Sequence, residues 1–394
     1  MKVIFERKKM IEAVTPLMFN KQKMTDSMSS SSSAGNKSSI IEGILIDARE
    51  DGVCVLTSVD VEKGVRLSVE TQVEEPGYYI INAQKFIQTM RVMEGEFITL
   101  TVDENLQACI SSGKSTHKMN ALKGEDFPAT PRLVTEDGFV IGQAVLKKML
   151  SKIMHAMAYN DARPVLNGCY FRVTENRLLA VSCDTYKLAR CSSEVAIENK
   201  NEDNSALNFS FIVPSKTVGE LFRFLSDDEE KTVRVYMTRK NIVFQIGEIT
   251  FFSRLIDGQY IDYDRIIMNN HRIFMTVDRS NFVAALERAS LVTEEKVAGN
   301  MRAQVKLTLE ENLLKISAIS TLGSTYDELE VGHEGENLVI SFNNRFLIDS
   351  LSATDAESVK ISMTSSLTGI NIEPENAEDG VSELFMLLPV RMRE

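Results

Sequence analysis

Apolar residues recur along the chain at two spacings, every second residue or every third to fourth residue, and these predict strands and helices respectively. Near the middle of the chain, apolar and polar residues alternate on both sides of Glu175 and Asn176. Alternation on either side of a polar turn is typical of a β-hairpin, which we expect within residues 163–183. A sharp turn at Asp184 and Thr185 then leads into another strand.

The first third of the chain contains two runs of strand, helix and further strands. In order, the patterns predict a strand at 3–5, a helix at 7–18, strands at 40–48, 53–58 and 65–70, a strand at 78–81, a helix at 83–93, and strands at 97–102, 107–111 and 114–122. Pro16 is expected to stop or kink the first helix. The serine-rich residues 25–39 predict a mobile loop. Residues 123–131, which contain two prolines, predict a linker.

The same order of elements then returns twice. The second pass has a predicted strand at 139–141, a helix at 144–158, the central hairpin, a strand at 209–213, a helix at 216–225, and strands at 233–238, 242–246 and 250–256. The third has a strand at 273–277, a helix at 280–292, strands at 304–309, 313–320 and 326–331, a strand at 338–342, a helix at 344–352, and strands at 359–364, 369–373 and 384–389.

The three starts, near residues 1, 138 and 272, give a repeat of roughly 130 residues, too long for a solenoid. Each repeat contains the strand, helix and strands pattern twice. The sequence therefore predicts an α+β protein of three similar domains, each made of two similar halves. We place the domains at residues 1–131 (domain 1), 132–268 (domain 2) and 269–394 (domain 3).

Composition agrees with a soluble protein of several domains. The chain has 394 residues, of which 43% are hydrophobic and 25% are charged, as in ordinary globular proteins. It contains no apolar run of about 18 residues, the length that a membrane-spanning helix requires. The N-terminal pattern predicts a strand entering a helix and not a signal peptide. Five cysteines without a CxxC pair indicate reduced thiols, so we expect a cytoplasmic location.

The formal charge is −12, from 44 Lys and Arg against 56 Asp and Glu. Such a charge argues against a protein that grips DNA tightly in its grooves, because the duplex carries about one negative charge per 1.7 Å of its axis. It does not argue against a protein that encircles DNA loosely with its basic residues facing inward.

Candidate catalytic and metal-binding patterns are weak. Gly113-Lys114-Ser115 lacks the earlier glycine and the following helix of a P-loop, so we interpret it as a hairpin turn. His333-Glu334 lacks the second histidine of a zinc protease, and the four acids at 227–230 are expected to be a solvated loop. His155 is expected on the surface. We therefore predict no catalysis, no cofactor and no metal.

Several stretches resemble the bacterial DNA polymerase III beta subunit family, the beta sliding clamps. They are Arg163-Pro164-Val165-Leu166-Asn167-Gly168, the segment 184–189, which is similar to the family's TDGHRLA, the segment 255–263, which is similar to LVDGRFPDY, and the terminal 387–391. The resemblance covers essentially the whole chain. It implies three clamp domains, a head-to-tail homodimer that forms a ring around duplex DNA with helices lining the pore, and no catalysis.

The resemblance also implies an apolar pocket between domains 2 and 3 that binds short Leu/Phe motifs of partner proteins. The implied partners are the replicative polymerase alpha subunit, the clamp loader, other polymerases and repair proteins; no membrane partner is implied. Carried over position by position, the pocket residues are Arg163, Val165, Leu166, Gly168, Cys183, Thr185, Tyr186, Lys187, Leu188, Ile261, Arg265, Ile266, Asn343, Phe346, Leu367, Gly369, Met386, Leu388, Pro389, Val390 and Arg391. The DNA-facing residues are expected to be Lys37, Lys85, Arg91, Lys148, Lys152, Lys216, Arg223, Arg279 and Arg288.

The sequence departs from the family pattern at identifiable places. Thr185, Tyr186 and Lys187 replace the family's Gly-His-Arg, Ile261 replaces a proline, and the tail extends two residues past the usual end. Two alternatives to a clamp stay open. One is a scaffold that displays the same peptide pocket without binding DNA, and the other, much weaker, is an enzyme.

Overall fold

The computed structural model describes residues 1–18, 43–130, 137–203, 205–293, 296–297, 300–301 and 304–391. The serine-rich loop 25–39, Lys37 and the last three residues of the tail lie outside these described residues. The elements of domain 1 are β1 (Lys2–Glu6), α1 (Arg7–Val14), β2 (Gly43–Ala48), β3 (Val53–Val59), β4 (Lys63–Glu70), β5 (Gln72–Glu75), β6 (Gly77–Asn82), α2 (Ala83–Val92), β7 (Phe97–Val102), β8 (Gln107–Ser112) and β9 (Ser115–Lys123).

Domains 2 and 3 repeat this order. Domain 2 contains β10 (Gly138–Gly142), α3 (Gln143–Ile153), β11 (Gly168–Thr174), β12 (Arg177–Cys183), β13 (Lys187–Glu194), β14 (Glu198–Asn199), β15 (Asn208–Pro214), α4 (Ser215–Phe224), β16 (Thr232–Met237), β17 (Asn241–Ile246), β18 (Ile249–Arg254) and α5 (Tyr263–Ile266). Domain 3 contains β19 (Ile273–Asp278), α6 (Arg279–Thr293), β20 (Lys296–Val297), β21 (Asn300–Met301), β22 (Gln304–Glu310), β23 (Leu313–Ser320), β24 (Gly323–Glu330), β25 (Gly332–Glu334), β26 (Leu338–Asn343), α7 (Asn344–Ser352), β27 (Ser358–Met363), β28 (Ile370–Pro374) and β29 (Val381–Leu387).

The two halves of each domain exchange their first strands. In domain 1, β1 pairs antiparallel with β7 of the second half, while β6 pairs with β2 of the first half. Domains 2 and 3 do the same, because β10 pairs with β16, β15 with β11, β19 with β27, and β26 with β22. Every domain is therefore built on two four-stranded antiparallel sheets, and neither half can form its sheet without the other.

Strand pairing also joins the domains to one another. β4 of domain 1 pairs with β18 of domain 2, and β13 of domain 2 pairs with β29 of domain 3. These pairs continue the sheets across both junctions, as a 14-stranded and a 9-stranded sheet. Backbone hydrogen bonds between adjacent strands leave no edge for water at a junction, so each junction is expected to be stiff.

The helices pack against the sheets through a shared core. The two helices of each domain contact each other, and α6 and α7 contact strands of both sheets of domain 3. Apolar residues that recur at the helical spacing of 3.6 residues place their side chains in this core. Phe86, Leu150, Phe282 and Leu347, for example, are all fully buried. The strands contribute every second residue, as in β7, where Ile98, Leu100 and Val102 are buried.

The predicted secondary structure is correct for every long element among the described residues, with boundaries that differ by one to a few residues. Several details are wrong. The stretch before Gly168 is not strand, because Pro164–Asn167 forms a 3-10 helix. The helix predicted to Ala158 ends at Ile153 and continues as one 3-10 turn. Helix α5 and the short strands β5, β14, β20, β21 and β25 were not predicted, since two to four residues carry no periodic signal.

The α+β fold with three similar domains is confirmed. Residues 131–136, at the boundary of domains 1 and 2, lie outside the described residues, and the predicted domain boundaries stay predictions. No helix within the described ranges is long and apolar enough to cross a membrane.

Candidate functional site at the junction of domains 2 and 3

A buried apolar cluster underlies the junction of β13 and β29. Leu166, Cys183 and Leu188 of domain 2 belong to it, together with Met386 of domain 3. Leu188 lies directly opposite Met386 in the strand pair, so the cluster spans both domains. The first three of these side chains come from the 3-10 helix and from the two strands that flank the turn 184–186, which is why distant parts of the sequence meet here.

Exposed apolar side chains surround this buried cluster. Leu388 and Val390 after β29 are each 39% exposed, Ile266 at the end of α5 is 39% exposed, and Leu367 in the loop between β27 and β28 is 74% exposed. Single exposed apolar residues are common on protein surfaces, but these four lie on segments that adjoin the buried cluster, which makes this junction a candidate binding surface. The segment that follows β29 is held in place, because the amide of Leu388 donates to the Tyr186 carbonyl (2.9 Å) and that of Val390 to the Ser341 carbonyl (2.8 Å).

The turn that replaces the family's Gly-His-Arg is firmly structured. The Asp184 carboxylate accepts hydrogen bonds from the amides of Tyr186 (3.0 Å) and Lys187 (2.8 Å). Thr185 has a φ of +79°, in the left-handed region that glycine favours. A β-branched residue in this conformation is strained, so the surrounding hydrogen bonds hold the turn against a local cost.

Lys187 is buried beneath this turn and joins the two domains. Its Nζ donates to the His155 carbonyl (2.6 Å), lies 3.6 Å from the Asp184 carboxylate, and lies 4.3 Å from the centre of the Phe346 ring of domain 3. A cation over an aromatic face is attracted by the ring quadrupole. Tyr186 packs on the same ring, with centroids 6.3 Å apart. Asn343 fixes Phe346 by capping α7, since its side chain accepts from the amides of Arg345 and Phe346.

The expectation that His155 is a surface residue is wrong. Both of its ring nitrogens are buried and lack a hydrogen-bond partner among the described residues. The ring meets Phe385 edge to face at 5.4 Å. Burial, with the nearby charge of Lys187 as a second cause, lowers the pKa of His155 to about 3. His155 is therefore a neutral packing residue at the junction of domains 2 and 3.

The loop that carries Arg163 is rigid. Asn167 accepts from the Asp161 amide (2.8 Å) and donates back to its carbonyl (2.9 Å), while Arg163 forms two side-chain hydrogen bonds with the Asp161 carboxylate. That contact lowers the pKa of Asp161. Gly168 permits close packing, because a Cβ there would lie 2.7 Å from the Val213 carbonyl oxygen.

The structure places the predicted pocket residues at three depths. Leu166, Gly168, Cys183, Lys187, Leu188, Gly369 and Met386 are buried; Val165, Ile261, Asn343, Phe346 and Pro389 are half-buried; and Arg163, Thr185, Tyr186, Arg265, Ile266, Leu367, Leu388, Val390 and Arg391 are exposed. The buried residues can shape the site, and the exposed apolar ones are free to contact a partner. Gly369 is close to Leu388, whose Cδ2 would lie 3.2 Å from a Cβ at position 369.

The predicted DNA-facing role of Lys152 does not agree with the structure. Its side chain is 2% exposed, and its Nζ lies 2.5 Å from the Asp355 carboxylate and 3.3 Å from that of Glu383. Both acids belong to domain 3, so Lys152 is an inter-domain contact. The helical spacing of Lys148 and Lys152 correctly indicates one face of α3. The spacing could not indicate that Lys152 is covered by β29, the strand that carries Glu383.

The other predicted DNA-facing residues that the structure describes lie on helices, and most are exposed. Lys85, Arg91 and Lys216 are exposed without an ion pair among the described residues. Lys148 pairs with Glu378 (2.8 Å), Arg223 with Glu220 (3.4 Å) and Arg288 with Asp327 (2.8 Å). Arg279 is half-buried, and its Nε donates to the Ala356 carbonyl. The unpaired cations remain the stronger candidates for contact with phosphate.

No candidate metal site or phosphate-binding loop is found in the part of the chain that the structure describes. Within it, no group of three or more His, Cys, Asp or Glu side chains could hold a metal ion. Gly113 lies in the turn between β8 and β9 with a φ of +59°, as expected of a hairpin. Four of the cysteines are buried, and burial raises the pKa of the Cys54 and Cys191 thiols to about 12, which makes them unreactive.

Family comparisons agree with this architecture. Models of three successive domains of the DNA polymerase III beta subunit match the chain in order: the N-terminal domain at residues 1–131, the central domain at 140–262 and the C-terminal domain at 264–389. The chain belongs to the DNA polymerase III beta subunit family.

Relatives of this beta subunit family member extend over nearly its whole length. The beta sliding clamp of Staphylococcus aureus is 29% identical over 364 residues, which cover 89% of this chain and 92% of the relative. The crystal structure of the DNA polymerase sliding clamp from Bacillus subtilis has a TM-score of 0.87 at 24% identity, and that of the DNA polymerase III subunit beta from Pseudomonas aeruginosa has a TM-score of 0.85 at 24% identity; each comparison covers 100% of both chains. The two crystal structures support the fold, and the predicted family is confirmed.

Sequence reasoning missed the residues that hold the two domains of this beta subunit family member together. Glu383 and Asp355 carry no motif, and nothing in their spacing marks them as partners of Lys152. Phe346 was predicted as a pocket residue, but its contact with Lys187 was not. A signal does exist for Lys187, since every second residue of a strand lies on one face and Lys187 therefore shares a face with the buried Ala189 and Cys191.

Proposed function

We propose that this protein is a sliding clamp: two copies form a closed ring around duplex DNA and tether the replicative polymerase to it. The observation that carries the proposal is the succession of three beta subunit domains along one chain. The protein catalyses no reaction in this role. It acts by topology, so a net charge of −12 is compatible with DNA held loosely in the pore. A replication subunit works where the bacterial chromosome lies, in the cytoplasm.

Two unpaired strand edges support ring closure. Among the described residues, the first part of β9 pairs only with β8, and β24 pairs only with β23. One edge belongs to domain 1 and the other to domain 3, so β9 of one copy can pair with β24 of the next. Exposed edges readily accept such a strand from another chain.

The charges on the two edges are complementary. His117 and Lys118 lie on β9, and Asp327, Glu328 and Glu330 lie on β24. Exposed apolar residues flank both edges: Val92 (78% exposed) beside β9, and Tyr326 (60%) on β24 with Leu291 (80%) at the end of α6. Burying these side chains against a second copy stabilises a head-to-tail dimer by roughly 25 cal/mol per Å² of apolar area.

The cleft between domains 2 and 3 is the proposed docking site for partner proteins. Its buried apolar cluster, its exposed apolar rim and the cations Arg163, Arg265 and Arg391 suit short motifs that contain leucine, phenylalanine and flanking acids. We propose the polymerase alpha subunit and the clamp loader as the principal partners, with other polymerases and repair proteins using the same cleft.

A primer-extension assay tests the function. A bacterial polymerase III core and a clamp loader are given a primed single-stranded circle, with and without this protein, and an excess of unprimed competitor limits the reaction to one binding event. The proposal expects products many times longer when the protein is present. Product lengths that do not change would contradict it, and a monomeric mass by analytical ultracentrifugation would contradict the ring.

A further inference from the structure

A second cleft lies between domains 1 and 2. Its volume is about 930 Å³, and four separate segments line it: 59–63, 128–130, 239–241 and 252–257. The first two segments belong to domain 1 and the last two to domain 2. It therefore lies at the other sheet junction of the chain, where β4 pairs with β18.

The internal repeat relates this cleft to the one between domains 2 and 3. Asp60 and Lys63 occupy the places of Asp184 and Lys187, since each pair bounds the turn between the third and fourth strands of its domain. The Asp60 carboxylate accepts from the amides of Glu62 (2.7 Å) and Lys63 (2.8 Å), as Asp184 accepts from those of Tyr186 and Lys187. The backbone of the two turns differs at one residue, because Val61 lacks the positive φ of Thr185.

The same backbone hydrogen bond closes both junctions. The amide of Arg254 donates to the Glu62 carbonyl (2.8 Å), and the amide of Leu388 donates to the Tyr186 carbonyl (2.9 Å). Arg254 therefore occupies the position of Leu388. Likewise, the β16–β17 turn, with Arg239 and Lys240, occupies the position of the β27–β28 loop that presents Leu367. Two apolar rim positions of one cleft are basic in the other.

These basic side chains are available to a ligand. Arg239, Lys240 and Arg254 are exposed, and none of them forms a side-chain hydrogen bond or ion pair with another described residue. The cleft carries one more positive than negative charge, because Lys63, Arg239, Lys240 and Arg254 line it together with Asp60, Glu62 and Asp257.

An apolar surface accompanies the charge. Val61 is 75% exposed at the mouth of the cleft, and Val59 and Phe252 are buried behind it. Pro128 and Ala129, both exposed, also line the cleft. A partner that fits this surface has aliphatic side chains as well as negative charge.

We propose that the cleft between domains 1 and 2 is a second docking site, which binds an extended acidic peptide segment of a partner protein. The carboxylates of the segment pair with Arg239, Lys240 and Arg254, and an aliphatic side chain packs on Val61. Nucleic acid fits less well, because a phosphate backbone makes no use of the exposed aliphatic side chain of Val61. The comparison with the cleft between domains 2 and 3 rests on the proposed function. The cavity between domains 1 and 2 and its unpaired cations are independent of that function.

Selection from a phage-displayed library of random dodecapeptides tests the site on the full-length protein. A saturating peptide with a Leu/Phe motif blocks the cleft between domains 2 and 3 during selection. We expect enriched sequences with several acidic residues around an aliphatic one. Their synthetic peptides should bind at least tenfold more weakly to a Lys240→Glu/Arg254→Glu variant. Their affinity should stay within twofold for Leu388→Ala, which weakens only the Leu/Phe peptide.

A second charge-reversal variant controls for net charge. Lys231→Glu/Arg234→Glu changes the total charge of domain 2 by the same amount, at exposed positions outside the cleft, and it should leave the acidic peptides bound. The proposal is overturned if no acidic sequence is enriched or if both charge variants weaken binding equally. Binding of a single-stranded dodecanucleotide is measured in parallel. The proposal is also overturned if the Lys240→Glu/Arg254→Glu variant binds this nucleotide more weakly but binds every peptide as well as the unchanged protein does. If the Leu/Phe peptide itself fails to bind, the proposed function of the first cleft fails and the second is judged on its own result.

Discussion

Replacement of Lys152 by methionine should loosen the junction of domains 2 and 3. Lys152 is the buried cation of that junction, and the Glu383 side chain beside it is only 8% exposed. The second carboxylate oxygen of Glu383 is buried and has no hydrogen-bond partner among the described residues. Without Lys152, this carboxylate would be a buried charge with no partner.

The expected loss follows from the burial of each partner. Removal of one member of a buried ion pair costs about 3–5 kcal/mol, because the remaining charge is left desolvated. The contact with Asp355 adds little, since that side chain is 80% exposed and exposed pairs contribute less than about 1 kcal/mol. A double variant, Lys152→Met/Glu383→Gln, removes the stranded charge and should recover about 2 kcal/mol or more of the loss.

Urea unfolding followed by circular dichroism measures these differences, because the chain contains no tryptophan for fluorescence. Lys148→Met is the matched control: it removes a lysine of the same helix that is half exposed and paired with the exposed Glu378, and it should cost less than about 1 kcal/mol. If Lys152→Met costs no more than the control, or if Glu383→Gln brings no recovery, the buried contact does not stabilise the junction.

The ion pair between Lys152 and Asp355 should also make the free energy of unfolding depend on pH, in a direction that the pKa of Asp355 determines. The hydrogen bond and charge of Lys152 lower the pKa of Asp355 from its ordinary value of 3.8. The stabilising contribution of Asp355 is thus complete when the pH is above the unfolded-state pKa, and it is lost as the pH falls through the lower pKa of the folded state. Lys152→Met should remove this part of the pH dependence.

Three further results are expected. Leu388→Ala should weaken a Leu/Phe motif peptide by about 1–2 kcal/mol in a fluorescence anisotropy titration, whereas Val339→Ala, an exposed valine on β26, should not; equal effects would contradict the cleft assignment. Thr185→Gly should raise the free energy of unfolding by about 0.5–1 kcal/mol, because glycine adopts the positive φ without strain, and a loss of stability would show that the turn is not strained. Lys118→Glu should weaken the dimer in sedimentation equilibrium, and Glu328→Lys should restore it; two independent losses would contradict the pairing of β9 with β24.

Most of the fold could be predicted from local patterns. The alternation in β7 and the helical spacing in α7 have one interpretation each, because their buried residues follow a single period. The exchange of first strands between halves could not be predicted, since β1 and β6 have the same pattern whichever sheet they join. Pairing between distant strands depends on tertiary packing that periodicity does not encode.

The candidate site was predictable only where local sequence determines it. The turn 184–187 follows from its own aspartate, whose side chain binds the next amides. The environments of Lys152 and His155 depend on Glu383 and Phe385, two residues of a strand more than 200 positions away. Burial by another domain is not visible in the spacing of a helix.

Retention on DNA circles tests the central claim most directly. The protein, labelled on an exposed position and loaded by a clamp loader onto a nicked plasmid, is separated from free protein by gel filtration in high salt, before and after one double-strand cut. A ring that encircles DNA stays on the circular plasmid and slides off the ends once the plasmid is linear. Equal retention on circular and linear DNA, or no retention on either, would contradict the account.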